Sequence, residues 1–229
     1  MSMPFYVSPE QVMKDRADYA RKGIARGRSL VALEYADGIA LVAENPSGTL
    51  HKISEIYDRI AFAGVGKYNE FEMLKIAGIR HADVRGYQYS REDVTARALA
   101  NGYAQTLGQV FTHEMKPYEV EILVAQVGEH EGEPNEMFHI LYDGTVMDEH
   151  GFSVLGGQAE AITDALKADY GEGLDMAGAI RLCTKALGSP DSRDIDADQL
   201  EVAVLDRNRT RRKFLRIDDD EVAGLLAAG

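Results

Sequence analysis

The chain has 229 residues, 45 % of them hydrophobic, enough to bury a substantial core within a single domain. A formal charge of −13 surrounds it with a field that repels phosphate backbones and anionic lipid heads, which argues against nucleic acid and against a membrane surface as partners. One cysteine, Cys183, excludes an internal disulfide framework, and no stretch reaches the ~18 apolar residues of a membrane span, so the sequence reads as cytosolic.

Residues 1–7, "MSMPFYV", read as an extended tail with no apolar run of the signal-peptide kind. Ser8 then stands as a helix N-cap, with Pro9 at the first helical position and Gln11 three residues after the cap, which predicts a helix over 9–22 stopped by Gly23. Its apolar stripe (Val12, Met13, Ala17, Ala20) is thin, which places the helix at the rim of something larger than its own domain. "SLVALEYADGIALVAEN" predicts a hairpin turning at Asp37-Gly38, apolar on both faces as in a sheet covered on each side. "HKISEIYDRIAFAGVG" reads as a second hairpin. Tyr68 to about Ala77 has helical spacing, and a further helix is expected from Ser90 to about Thr112 with Leu99, Tyr103, Leu107, Val110 and Phe111 on one face.

The second half repeats the scheme. "YEVEILVAQV" and "MFHILYDGTVMD" are strands, the latter turning at Asp143-Gly144, and "FSVLGG" ends a strand at a glycine pair. Helices are expected over about 158–170 and 174–187, the second with Cys183 in its apolar stripe, so that its thiol packs rather than reacts. The acidic loop "GSPDSRDIDADQ" leads to the buried strand "LEVAVLD", and a last helix covers about 219–227. The basic run "RNRTRRKFLR" reads as a solvated hairpin flank. Strand pairs and helix pairs in turn predict an α+β fold of two stacked sheets with helix layers outside, rather than an alternating doubly wound sheet.

Motifs of common chemistries fail on spacing. Gly64-Val65-Gly66-Lys67 lacks the residues a phosphate loop needs before Gly-Lys, and Tyr68 stands where Ser or Thr would follow. Asp194-Ile195-Asp196-Ala197-Asp198 begins like a calcium loop but has Gln199 and Leu205 where glycine and glutamate belong, and the six histidines never pair at helical zinc spacing. No metal or cofactor is expected. Gly156-Gly157 reads as a close strand-to-helix turn. A terminal threonine nucleophile, with Lys52 to lower the pKa of its amine, would require cutting at Gly48-Thr49 and would discard the first helix and hairpin.

The stretches "SPEQ", "ARKGIARGRSLVALEYADGIALVAENPS", "LHKISEIYDRIAFAGVGKYNEFE", "DVTARALANGYAQTLG", "KPYEVEILVAQVG", "YDGTVMDEHG" and "LEVAVLDRN" together closely resemble the proteasome α subunits of actinobacteria, from Met3 to about Ile217. The resemblance implies one domain over 1–229: a gate tail at 1–7, the rim helix at 9–22, a four-layer αββα sandwich of the N-terminal-nucleophile class at 29–217, and a C-terminal helix and tail at 218–229. It further implies a seven-membered ring of copies that caps a ring of catalytic β subunits. Arg28-Ser29 falls where the catalytic subunits begin with their nucleophile, so this chain is expected to be chemically inert.

By the same resemblance Lys52 holds the C-terminal carboxylate of a docking ring ATPase or other activator, with Gly27, Gly66 and Lys67 beside it. Met1, Ser2, Met3, Pro4, Phe5, Tyr6 and Val7 form the gate, Pro9 marks the turn that positions it, and residues 113–116 fall where the channel narrows. The implied substrates are unfolded polypeptides, including proteins tagged with a prokaryotic ubiquitin-like modifier.

Overall fold

The computed structural model describes residues 8–130, 132–171 and 173–227. Helix α1 (Pro9–Ile24) begins as expected, with the Ser8 hydroxyl accepting the Gln11 amide at 3.2 Å, but it ends at Ile24 rather than at 22. Gly23 does not stop it. That glycine lies in the last turn against the Glu119 side chain, and the Ala25 amide closes the helix on the Arg21 carbonyl at 2.8 Å.

Strands β1 (Leu30–Tyr35) and β2 (Gly38–Glu44) form the first hairpin, β3 (Ile53–Tyr57) and β4 (Ile60–Gly66) the second. Helices α2 (Tyr68–Gln88) and α3 (Ala96–His113) follow, then β5 (Val120–Gln126), β6 (Glu136–Ile140), β7 (Val146–Glu149) and β8 (Phe152–Leu155). Helices α4 (Ala159–Asp169) and α5 (Met176–Gly188) precede β9 (Leu200–Asp206), β10 (Phe214–Ile217) and α6 (Asp219–Ala227). One sheet runs β10-β9-β2-β1-β8 and the other β3-β4-β5-β6-β7, each antiparallel throughout.

Side-chain alternation explains why both sheets are covered twice. Along β2, Ile39, Leu41 and Ala43 face the other sheet, while Ala40 and Val42 face Ile180 and Cys183 of α5. Along β4, Ala61, Ala63 and Val65 face inward, and Ile60 and Phe62 turn to Phe71 of α2 and Leu99 and Leu107 of α3. The space between the sheets is filled by alanines (Ala32, Ala43, Ala61, Ala63, Ala125, Ala203) interleaved with larger side chains such as Leu30, Leu41, Leu123, Met137 and Leu205. The result is the αββα order expected.

Four further details differ from the sequence reading. The first turn is Ala36-Asp37, because Gly38 already pairs with Tyr35 as the first residue of β2. Helix α2 does not end near Ala77 but continues to Gln88. Gly78 lets it pass close to α3: a Cβ there would stand 1.7 Å from the Tyr103 hydroxyl oxygen, so the glycine marks a helix crossing instead of a break. Ser90 caps only a 3-10 turn (Arg91–Asp93); buried Val94 leaves the helical path, and α3 starts afresh behind Thr95, whose hydroxyl accepts the Ala98 amide at 3.3 Å. Finally, Val110 and Phe111 are only half-buried by their own sheet. Phe111 instead meets Ala20, Ile24 and Tyr142, the patch on which α1 docks.

Arg16 secures that docking. Its guanidinium donates to the carbonyls of Val110 (3.2 Å), Phe111 (2.7 Å) and Glu114 (2.6 Å) at the end of α3; the Val110 carbonyl also accepts the Glu114 amide at 3.1 Å. Helix α1 is thereby fixed beside the head of β1.

Candidate functional site

Lys52 lies one residue before β3, where the chain returns from the exposed 46–50 loop. Its ammonium donates to the carbonyls of Arg28 at 2.7 Å and Glu44 at 3.0 Å. Arg28 belongs to the segment joining α1 to β1 and Glu44 ends β2, so a half-buried cation spans the seam at which the first strand begins. Burial pulls its pKa down to about 8, against the opposing attraction of Glu201 and Glu44 and with a further push from Arg28.

Two buried carboxylates frame this cation. Glu44, 3 % exposed, accepts both terminal nitrogens of Arg193 at 2.8 and 2.6 Å and also pairs with Arg28. The Arg193 hydrogen bonds hold its carboxyl below the usual range, overcoming burial, with Arg28 adding to the effect. Glu201, 7 % exposed, accepts the backbone amides of Lys52 at 2.8 Å and Ile53 at 3.2 Å.

Gly27 and Gly66 meet on the α1 side of the seam: a Cβ on Gly27 would lie 3.1 Å from the Gly66 nitrogen and 3.0 Å from Val65 Cγ1. Gly66 must be glycine on two counts. Its φ is +109°, and a Cβ would stand 2.0 Å from the Glu119 carbonyl oxygen. Gly156, another positive-φ glycine, packs against Ser29, which fits the close strand-to-helix turn expected of the Gly156-Gly157 pair.

Lys52, Gly27 and Gly66 are therefore gathered around the head of β1. Lys67, at the N-cap of α2, is exposed, and its ammonium lies 3.7 Å from Glu70, a carboxylate shared with Lys116. Pro9 is the first residue of α1. The gate residues Met1–Val7 lie outside the described residues. Of residues 113–116, His113 ends α3 and the other three follow it, with Met115 fully exposed.

Arg28 and Ser29 lie in the segment that joins α1 to β1. Thr49 sits on the exposed loop after β2. Cutting before it would remove β1 and β2, which lie inside the five-stranded sheet between β9 and β8. Cys183 is buried, and burial pushes its thiol well above the usual range, as suits a packing role. Among the described residues no group of three or more His, Cys, Asp or Glu is placed to hold a metal ion, and no helix is long and apolar enough to cross a membrane.

Sequence reasoning singled out Lys52 but missed Glu44, Glu201 and Arg193. The signal for Glu201 was present: in "LEVAVLD" strict alternation puts it on the same face as Ala203 and Leu205, between the sheets, where a charge needs partners.

Two antiparallel sheets stacked between helix layers, with a lysine at the seam where the first strand starts, define an α+β sandwich of the N-terminal-nucleophile hydrolase type. A family model described as "Proteasome subunit" matches residues 24–205. Relatives named "Proteasome subunit alpha" include those of Kineococcus radiotolerans, 60 % identical over 99 % of each chain, and Thermomonospora curvata, 57 % identical over 100 % of each. That of Acidimicrobium ferrooxidans is 61 % identical, covering 99 % of this chain and 97 % of its own. The chain belongs to the proteasome subunit family, and the resemblance to actinobacterial α subunits extends over nearly its whole length.

Proposed function

We propose that this chain is a non-catalytic α subunit of a proteasome core, forming a seven-membered outer ring that gates access for unfolded polypeptides and docks activators. The reading places it in the cytoplasm with a catalytic β subunit as its obligate companion, and tagged proteins as the ultimate substrates. The observation that carries it is the head of β1. There the lysine that would serve a terminal nucleophile is held on the Arg28 and Glu44 carbonyls, and the strand is preceded by an anchored helix. The α-subunit names of close relatives support the same assignment.

An ammonium anchored by two carbonyls retains one N–H, which suits it to receive a carboxylate from a docking partner beside the glycine contact of Gly27 and Gly66. The Lys52→Ala core should assemble normally and bind its ring ATPase at least tenfold more weakly, as measured by surface plasmon resonance. Equal affinity in variant and parent would remove the docking role from Lys52. The alternative, an active hydrolase processed at Thr49, predicts loss of the first 48 residues. Intact mass spectrometry separates the two.

A further inference from the structure

The carboxylate of Glu201 collects donors from three directions. Besides the Lys52 and Ile53 amides it accepts Asn45 Nδ2 at 2.8 Å and a guanidinium nitrogen of Arg216, and His51 Nδ1 lies 3.3 Å away. The second terminal nitrogen of Arg216 donates to the Ile53 carbonyl at 2.6 Å. The pair thus grips both the amide and the carbonyl of the residue following Lys52. Asn45 completes the clamp from the other end of the loop, donating to the Leu50 carbonyl at 2.6 Å while its own amide donates to the Gln199 carbonyl at 2.8 Å. Glu201 is on β9 of one sheet and Lys52 leads into β3 of the other, so the contact joins the sheets at their shared end.

A buried carboxylate on an inner sheet face is costly, and an apolar residue there would pack as its neighbours Ala203 and Leu205 do. We propose that Glu201 is a positioning residue for Lys52: it fixes the backbone of the Lys52 turn against the head of β1 and so holds the ammonium on the Arg28 and Glu44 carbonyls. Where function is concerned, the inference rests on the docking role given to Lys52. The geometric part does not. The charge of Glu201, together with that of Glu44 and against that of Arg28, also favours the protonated ammonium in opposition to burial.

The test is competitive acetylation of the full-length chain between pH 7 and 11 with acetic anhydride, read at Lys52 by mass spectrometry, for the parent and for Glu201→Gln. Lys52 of the parent should titrate near 8. In Glu201→Gln the midpoint should fall by about one pH unit, whereas surface lysines keep theirs. A role in stability alone would lower the melting temperature without moving that midpoint, and an unmoved midpoint in a folded variant overturns the inference.

Should Glu201→Gln fail to fold, hydrogen exchange on the parent decides. The Lys52 and Ile53 amides should exchange at least a hundredfold more slowly than those of the exposed 46–50 loop, and exchange at loop rates overturns the inference. A shifted midpoint together with unchanged activator binding by Lys52→Ala would leave Glu201 as the residue that positions Lys52 and refute the docking role.

Discussion

At the residue scale, one ammonium dominates. Lys52 is held by two carbonyls and flanked by two buried carboxylates, yet burial depresses its pKa to about 8. The sign follows directly: the group is charged below that value and neutral above it, so affinity for an incoming carboxylate falls as pH rises. Activator binding by the assembled core should weaken toward tenfold per pH unit above 8. Lys52→Arg, which stays charged, should show no such slope; a parent with flat binding from pH 7 to 9.5 would contradict the assignment. Gly66 allows a second check. Its φ of +109° and the 2.0 Å approach of a built Cβ to the Glu119 carbonyl mean that Gly66→Ala must shift backbone. A loss of about 2 kcal/mol or more is expected by chemical denaturation. Lys52 itself was legible in the sequence through its family setting. Its partners were not, because Glu44, Arg193 and Glu201 come from β2, the loop after α5 and β9, and only the closed fold brings them together.

Among the elements, those with strong local signals came through from sequence alone. Helix α1, the two hairpins and α5 each carry a cap, turn or stripe that acts within a few residues. The misplaced boundaries are those set by distant contacts: α2 runs on because Gly78 fits beneath Tyr103, and the start of α3 moves because Val94 is drawn into the core. That correction is testable. Thr95→Ala should cost about 1 kcal/mol of stability and Ser90→Ala only a few tenths, since Ser90 caps a single 3-10 turn. The reverse order in thermal denaturation would restore the earlier start. The tail before α1 belongs to the same scale. Arg16 and the Phe111–Tyr142 patch anchor the helix that follows residues 1–7 in the chain, and deletion of those residues tests the gate proposed for them. Deleting residues 1–7 should raise peptide hydrolysis by the assembled α/β core several-fold. Unchanged rates in a confirmed barrel would count against the gate.

For the whole molecule, the architecture was readable because both sheets are apolar on both faces, a pattern that only two helix layers around two stacked sheets can satisfy. What a single chain does not encode is its assembly. The exposed ridge of α2 (Met73, Ile76, Val84, Tyr87) and the exposed Val12 and Met13 of α1 carry apolar surface that this chain does not cover by itself. Membership of the proteasome subunit family supplies the context for the proposed division of labour, in which a partner provides the nucleophile and this chain governs access and recruitment. Hydrolysis of a fluorogenic peptide by the purified chain, alone and after assembly with its β subunit, tests that division of labour most directly. Activity only in the assembled barrel, with residues 1–48 retained on this chain, is the expected result; cleavage by the chain alone through a newly freed Thr49 amine would contradict it.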